Sequence, residues 1–225
     1  MSGIAGLVIR NLLIAGRTHA ERLPEQISHV AWHRISFAED GPTRVRETGE
    51  TLWPDVLPVA DDELDGLQLR ARFADTRRTI VQRADGTRHY LKRPGASTGG
   101  RDPYSLLVLA DGSVDQLCEI GEVTPHAAQA NIYALGIAMV GDMRARPPTP
   151  AQWQTCVTLA ALWYAWGLES QGHTMLDGAS SDPGKVCPGS HFGLPQLRTA
   201  SRSSEIAALT RYEAEAILVE AGIVL

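Results

Sequence analysis

The chain is short of cysteine, of charge of one sign and of long apolar runs, and each shortage closes off a class of protein. Its three cysteines, Cys118, Cys156 and Cys187, are odd in number and widely spaced. They do not make the even, regular set of a disulfide framework. A reducing compartment fits this usage and leaves a thiolate free to bind a metal. The net charge is −5, with no long run of either sign, which argues against a dedicated nucleic-acid binder and its basic excess. No stretch approaches the roughly twenty continuous apolar residues of a membrane helix, so stable membrane insertion is not expected. The apolar start, residues 1–16, lacks the basic leading segment of an export signal, and Arg10 interrupts it. It reads as core or edge secondary structure. There is no internal repeat.

What is present suffices for a substantial core: 225 residues, 44% of them hydrophobic, in one large domain or two small ones. Residues 4–14 fit a strand or a short helix. Residues 27–36, I-S-H-V-A-W-H-R-I-S, form a β-branched and aromatic run of strand length, with His33 at the end of its most apolar part. Between 38 and 103 the pattern is weakest. There R-A-R-F and R-T-I-V-Q-R read as strands. The second is followed by a turn at Asp85-Gly86 and by R-H-Y-L-K-R, a good hairpin signal. Residues 94–103 form a Gly/Ser-rich loop.

Tyr104 opens an apolar strand, Asp111-Gly112 turns the chain, and residues 114–120 return as the hairpin partner. The continuous run L-G-I-A-M-V, residues 135–140, predicts a strand buried on both faces. Thr149-Pro150-Ala-Gln-Trp predicts a helix over 150–166: Thr149 caps, Pro150 fits the first turn, and Gln152 stands three residues after the cap. Cys156 lies on its apolar face and reads as core, as does Cys118 in its strand. A last helix is expected over 203–221, stopped by Gly222. The pattern is that of an α/β (α+β) protein, a mixed central sheet flanked by helices.

Residues 172–189, G-H-T-M-L-D-G-A-S-S-D-P-G-K-V-C-P-G, hold one His, one Cys and a Lys two residues before that Cys. The glycines and prolines exclude a long helix or strand. A loop of this composition is either a metal-ligand loop or a plain surface connection.

Three pieces in order, H-A-A-Q-A-N-I-Y-A-L-G-I-A-M-V-G-D, T-P-A-Q-W and K-V-C-P-G, make the chain resemble the zinc-dependent N-acetylmuramoyl-L-alanine amidases of the type-2 family. That superfamily includes the peptidoglycan-recognition proteins. The resemblance covers about residues 27–192. It implies a single amidase-like domain over 1–225, with an insertion at 38–103 and a closing helix at 203–221. It implies Zn2+ held by His33, His173 and Cys187, and peptidoglycan as the partner. Tyr104 matches the catalytic tyrosine and Lys185 the lysine that stabilises the tetrahedral intermediate. His126 matches a histidine of the substrate groove, and Asn131 a polar residue close behind it. Three ligands of N/N/S type would leave the fourth tetrahedral position open, the catalytic arrangement.

Two departures stand out. Tyr104-Ser105-Leu106 replaces the usual Tyr-His-Phe, and the spacing from His173 to Cys187 is longer than in the phage amidases. Some relatives use Asp in place of Cys, so Asp182 is the alternative third ligand. The expected activity is hydrolysis of the amide between N-acetylmuramic acid and L-alanine by a monomer. The setting is an endolysin held in the host cytoplasm until release to the wall, or a remodelling enzyme of the cell envelope. The alternative is a non-catalytic muropeptide-binding module of the same fold.

Overall fold

The run Ala134–Val140 is the middle strand of the molecule, and all seven of its residues are buried. The protein is described from a computed structural model. The structure describes residues 7–14, 19–35, 43–44, 51–52, 65–74, 78–82, 88–92, 101–177 and 187–225. In chain order the strands are β1 (Ile9–Asn11), β2 (His29–Ile35), β3 (Thr43–Arg44), β4 (Thr51–Leu52), β5 (Arg78–Gln82), β6 (Arg88–Lys92), β7 (Leu106–Val108), β8 (Val114–Gln116), β9 (Ala134–Val140) and β10 (Glu169–Gly172). The helices are α1 (Gly66–Ala74), α2 (Pro150–Ala165), α3 (Leu194–Arg202) and α4 (Arg211–Glu220).

Six strands form one mixed sheet in the order β1-β8-β7-β9-β2-β10. Only the β7/β8 hairpin pairs antiparallel; β7, β9, β2 and β10 all run the same way. The expected mixed sheet with flanking helices is therefore the observed fold. Because side chains alternate across a strand, β9 feeds two cores. Leu135, Ile137 and Met139 pack with Cys156, Leu159, Leu162 and Trp163 of α2. Ala138 and Val140 face a smaller cluster with Ile35, Leu107, Cys118 and Leu69 of α1.

Helix α2 starts where its sequence says. The Thr149 hydroxyl accepts from Gln152 N at 3.1 Å. The Gln152 side chain does not return to the cap. It is buried and donates to Val108 O at 3.0 Å and Val140 O at 2.9 Å, tying the helix to the ends of β7 and β9.

Two expectations are corrected. R-A-R-F lies within helix α1, where Leu69 joins the second core and Arg70 reaches Asp102 and the carbonyls of Leu12 and Leu117. Part of the segment 38–103 is thus built into the core. The closing helix 203–221 is two pieces. Ser204 caps a short 3-10 turn at Glu205–Ala208, and Thr210 with Glu213 makes a capping box that starts α4 afresh. Helix α3 went unread because its charged and small residues hide the few buried ones, Leu197 and Ser201. The hairpin β5/β6 is antiparallel as expected, and its turn at Asp85-Gly86 lies outside the described residues. Among the described residues, no helix is long and apolar enough to cross a membrane.

Candidate functional site

The sheet register brings two distant histidines together. Strands β2 and β10 run parallel with Glu169 opposite His29 and Gly172 opposite Trp32. One step further along both strands are His33 and His173. Their ring centroids are 4.6 Å apart. His33 is buried in the sheet and His173 stands at the carboxyl end of β10, the end at which parallel sheets present ligand sites.

Cys187 completes the group from the returning loop. Its carbonyl accepts from the Thr174 hydroxyl at 3.3 Å. Gly172 makes this approach possible, since a Cβ there would lie 3.1 Å from both Cys187 O and Pro188 Cδ. Cys187 Sγ stands 3.7 Å from His33 Nδ1. The ligand atoms of His33, His173 and Cys187 all lie within 4.8 Å of one another. A tetrahedral zinc with Zn–N of about 2.0 Å and Zn–S of about 2.3 Å needs an N···S separation of about 3.6 Å. The donor set and its spacing fit such an ion.

Within this group His33 is the most deeply buried, and Cys187 is partly exposed. Burial, with the neighbouring charges of His126 and His173, holds His33 well below the ordinary histidine range. Tyr104 is half-buried, its ring centroid 5.0 Å from that of His33. Burial, then the nearby Cys187, pushes its phenol upward against a smaller pull from Arg34, so it stays protonated at neutral pH.

His126 lies against His33, Nδ1 to Nε2 at 3.0 Å, and its own Nε2 donates to Ala134 O at 3.1 Å. Burial lowers its pKa to about 3, with the Ala134 hydrogen bond opposing and Arg22 and His173 adding to the fall. Asn131 Oδ1 accepts from the backbone N–H of His126 and of Ala127, which shapes the loop. Both ring nitrogens of His126 and the amide oxygen of Asn131 are thus engaged within the protein.

The structure therefore brings together His33, His173, Cys187, Tyr104 and His126, with Asn131 behind His126. Lys185 and Asp182 lie outside the described residues. Two participants were missed by sequence reasoning. Gly136 is the floor beneath His126, whose ring atoms would lie 2.8 and 2.9 Å from any Cβ there. A glycine inside a buried strand is itself a signal of close approach. Arg22 is buried and donates to the carbonyls of Asn131 and Ala134, holding the same loop from the N-terminal segment. No local pattern marks it.

Residues 70–190, more than half of the chain, match the family model Amidase_2, described as N-acetylmuramoyl-L-alanine amidase. The chain belongs to this amidase family. No curated protein sequence matches it. Among solved structures, the Ph2119 endolysin from Thermus scotoductus MAT2119 bacteriophage is 15% identical with a TM-score of 0.54, covering 85% of this chain and 99% of its own. Bumblebee PGRP-SA is 12% identical with a TM-score of 0.50 and coverages of 84% and 93%. AmpD is 16% identical with a TM-score of 0.50 and coverages of 88% and 95%. At such identities these likenesses establish the fold that the amidase family shares with the recognition proteins. The family match begins at residue 70, so it omits His33, which the register of β2 with β10 returns to the site.

Proposed function

We propose that this amidase-family protein is a zinc-dependent hydrolase of the amide bond between N-acetylmuramic acid and L-alanine in peptidoglycan. The observation that carries the reading is the compact group His33, His173 and Cys187 beside Tyr104. Its three donors fit zinc and leave room for a fourth ligand. When bound there, Zn2+ supplies Lewis-acid polarisation of the scissile carbonyl and a more acidic water.

The protein's own groups supply the rest. Tyr104, kept neutral, donates a hydrogen bond that orients the attacking water or the developing oxyanion. Lys185, two residues before Cys187 in the sequence, matches the family's lysine, and the resemblance gives it the role of stabilising that charge; such a donor is worth on the order of 100-fold in rate. The burial of His33 lowers the local dielectric on its side of the site, which strengthens charge interactions made there. In the reaction, water oxygen bonds to the lactyl carbonyl carbon, the C–N bond breaks, and a proton passes to the departing amine of L-alanine. Peptidoglycan as substrate places the work at the cell wall, whether the protein arrives as an endolysin or as a resident remodelling enzyme.

The test is zinc content of the purified protein together with release of free L-alanine amino termini from cell-wall peptidoglycan. His173→Ala should lose both zinc and release. Full activity and full zinc in that variant would overturn the reading, and wall binding without release by the zinc-loaded protein would favour a binding module.

A further inference from the structure

We propose that His126 is a positioning residue that fixes the tautomer of His33 and so aims a lone pair at the metal. This rests on the zinc reading above. The two ring nitrogens of His33 face different groups: Nδ1 faces Cys187 Sγ at 3.7 Å, and Nε2 faces His126 Nδ1 at 3.0 Å. A neutral imidazole carries one proton, on one nitrogen only. His126 must carry its own proton on Nε2, because that atom meets the carbonyl of Ala134, which can only accept. His126 Nδ1 is therefore a lone pair, and the hydrogen bond to it must come from His33 Nε2–H. That leaves His33 Nδ1 unprotonated on the side of Cys187 and His173. The chain runs from Ala134 carbonyl through His126 to His33, so a backbone oxygen of β9 sets which nitrogen of the proposed ligand is free.

The fold holds this relay firmly. The His126 ring lies over Gly136, where a Cβ would meet Cδ2 at 2.8 Å and Cγ at 2.9 Å. Asn131 Oδ1 fixes the backbone N–H of His126, and Arg22 anchors the Ala134 and Asn131 carbonyls. A ligand histidine whose distal nitrogen is oriented by a partner binds metal typically 10–100-fold more tightly than one without. The usual partner is a carboxylate or a backbone carbonyl. Here a second imidazole is interposed.

Two variants and one spectrum test this. His126→Phe keeps a flat ring over Gly136 but removes the acceptor; His126→Asn places an amide oxygen near the position of Nδ1. Zinc affinity by competition with a chromogenic chelator should fall about 10–100-fold in H126F and recover most of that loss in H126N. In the metal-free wild type, two-bond 1H–15N correlation spectra should show His33 as the Nε2–H tautomer. In H126F that preference should be lost.

Zinc affinity in a folded H126F within twofold of wild type would overturn the proposal, and so would a metal-free His33 protonated on Nδ1. If H126F does not fold, the wild-type spectrum still decides. Wild type that takes up no zinc would sink the proposed function, whereas the tautomer spectrum would stand or fall separately.

Discussion

Replacing Gly136 by alanine adds one methyl group at the point where the sheet and the site meet. Built on the existing backbone, that Cβ lies 2.8 Å from Cδ2 and 2.9 Å from Cγ of His126. Carbon atoms at rest stand about 3.5–4.0 Å apart, so one side must retreat by about 0.7 Å. Strand β9 cannot, because it is paired with β2 along its whole length and with β7 along part of it. The ring must move, and its two hydrogen bonds of 3.0 and 3.1 Å then exceed the ~3.2 Å limit of a good bond.

Overpacking costs about 1–3 kcal/mol, and each lost hydrogen bond about 0.5–1.5 kcal/mol. These costs partly exclude one another, since a ring that moves relieves the clash. The lower unfolded-state entropy of alanine returns about 0.4–1 kcal/mol. The net loss is about 2 kcal/mol, a fall in Tm of about 4–8 °C for a chain of this size. Thermal and urea unfolding of the metal-free protein reads this loss, and chelator competition reads the accompanying drop in zinc affinity. A Gly136→Ala protein with unchanged Tm and unchanged zinc affinity would refute the argument that His126 lies pressed on this glycine.

Four further outcomes follow from the same structure. Asp102→Ala strips Arg70, held among the Leu12 and Leu117 carbonyls, of its buried carboxylate, and equilibrium unfolding should show a loss of about 3–5 kcal/mol. Thr210→Ala removes the capping box of α4 and should cost about 1 kcal/mol, with zinc binding intact. A thiol reagent should modify Cys187 alone in the native metal-free protein, and zinc should protect it, because Cys118 and Cys156 are buried and burial raises the Cys156 thiol; rapid modification of all three thiols would contradict the two cores. Finally, His126 has a folded pKa of about 3 against an ordinary value of 6.5. Below pH 6.5 the unfolded chain takes up a proton that the folded one refuses, and the depressed His33 acts in the same direction. Metal-free stability should therefore be full above pH 6.5 and decline as pH falls toward 3; a flat unfolding profile over that window would count against the neutral pair.

The sequence alone determined those parts whose physics is local. The apolar run of β9 needs burial on both faces, so it reads as a central strand without any partner being known. Thr149-Pro150 starts a helix because a hydroxyl and a fixed φ satisfy the first turn. The motif order 33, 104, 126, 173, 187 assembles residues of the right chemistry, and they do meet. The local record misled where a neighbour overruled it. R-A-R-F alternates like a strand, but Arg70 finds its partners on three other segments, at Leu12, Asp102 and Leu117, and lies in a helix. The closing helix breaks because Ser204 and Thr210 each offer a cap that competes with helix continuation.

Only the tertiary structure decided how the site is held. His33 and His173 lie side by side because β2 and β10 pair in parallel with a register that no spacing within either strand encodes. Gly136 and Gly172 matter through the contacts that a Cβ would make across the fold, which a one-dimensional pattern cannot contain. Likewise, the sequence gives His126 as one more histidine near the site. Which of its nitrogens faces a carbonyl and which faces His33 is a matter of three-dimensional direction that no one-dimensional pattern contains.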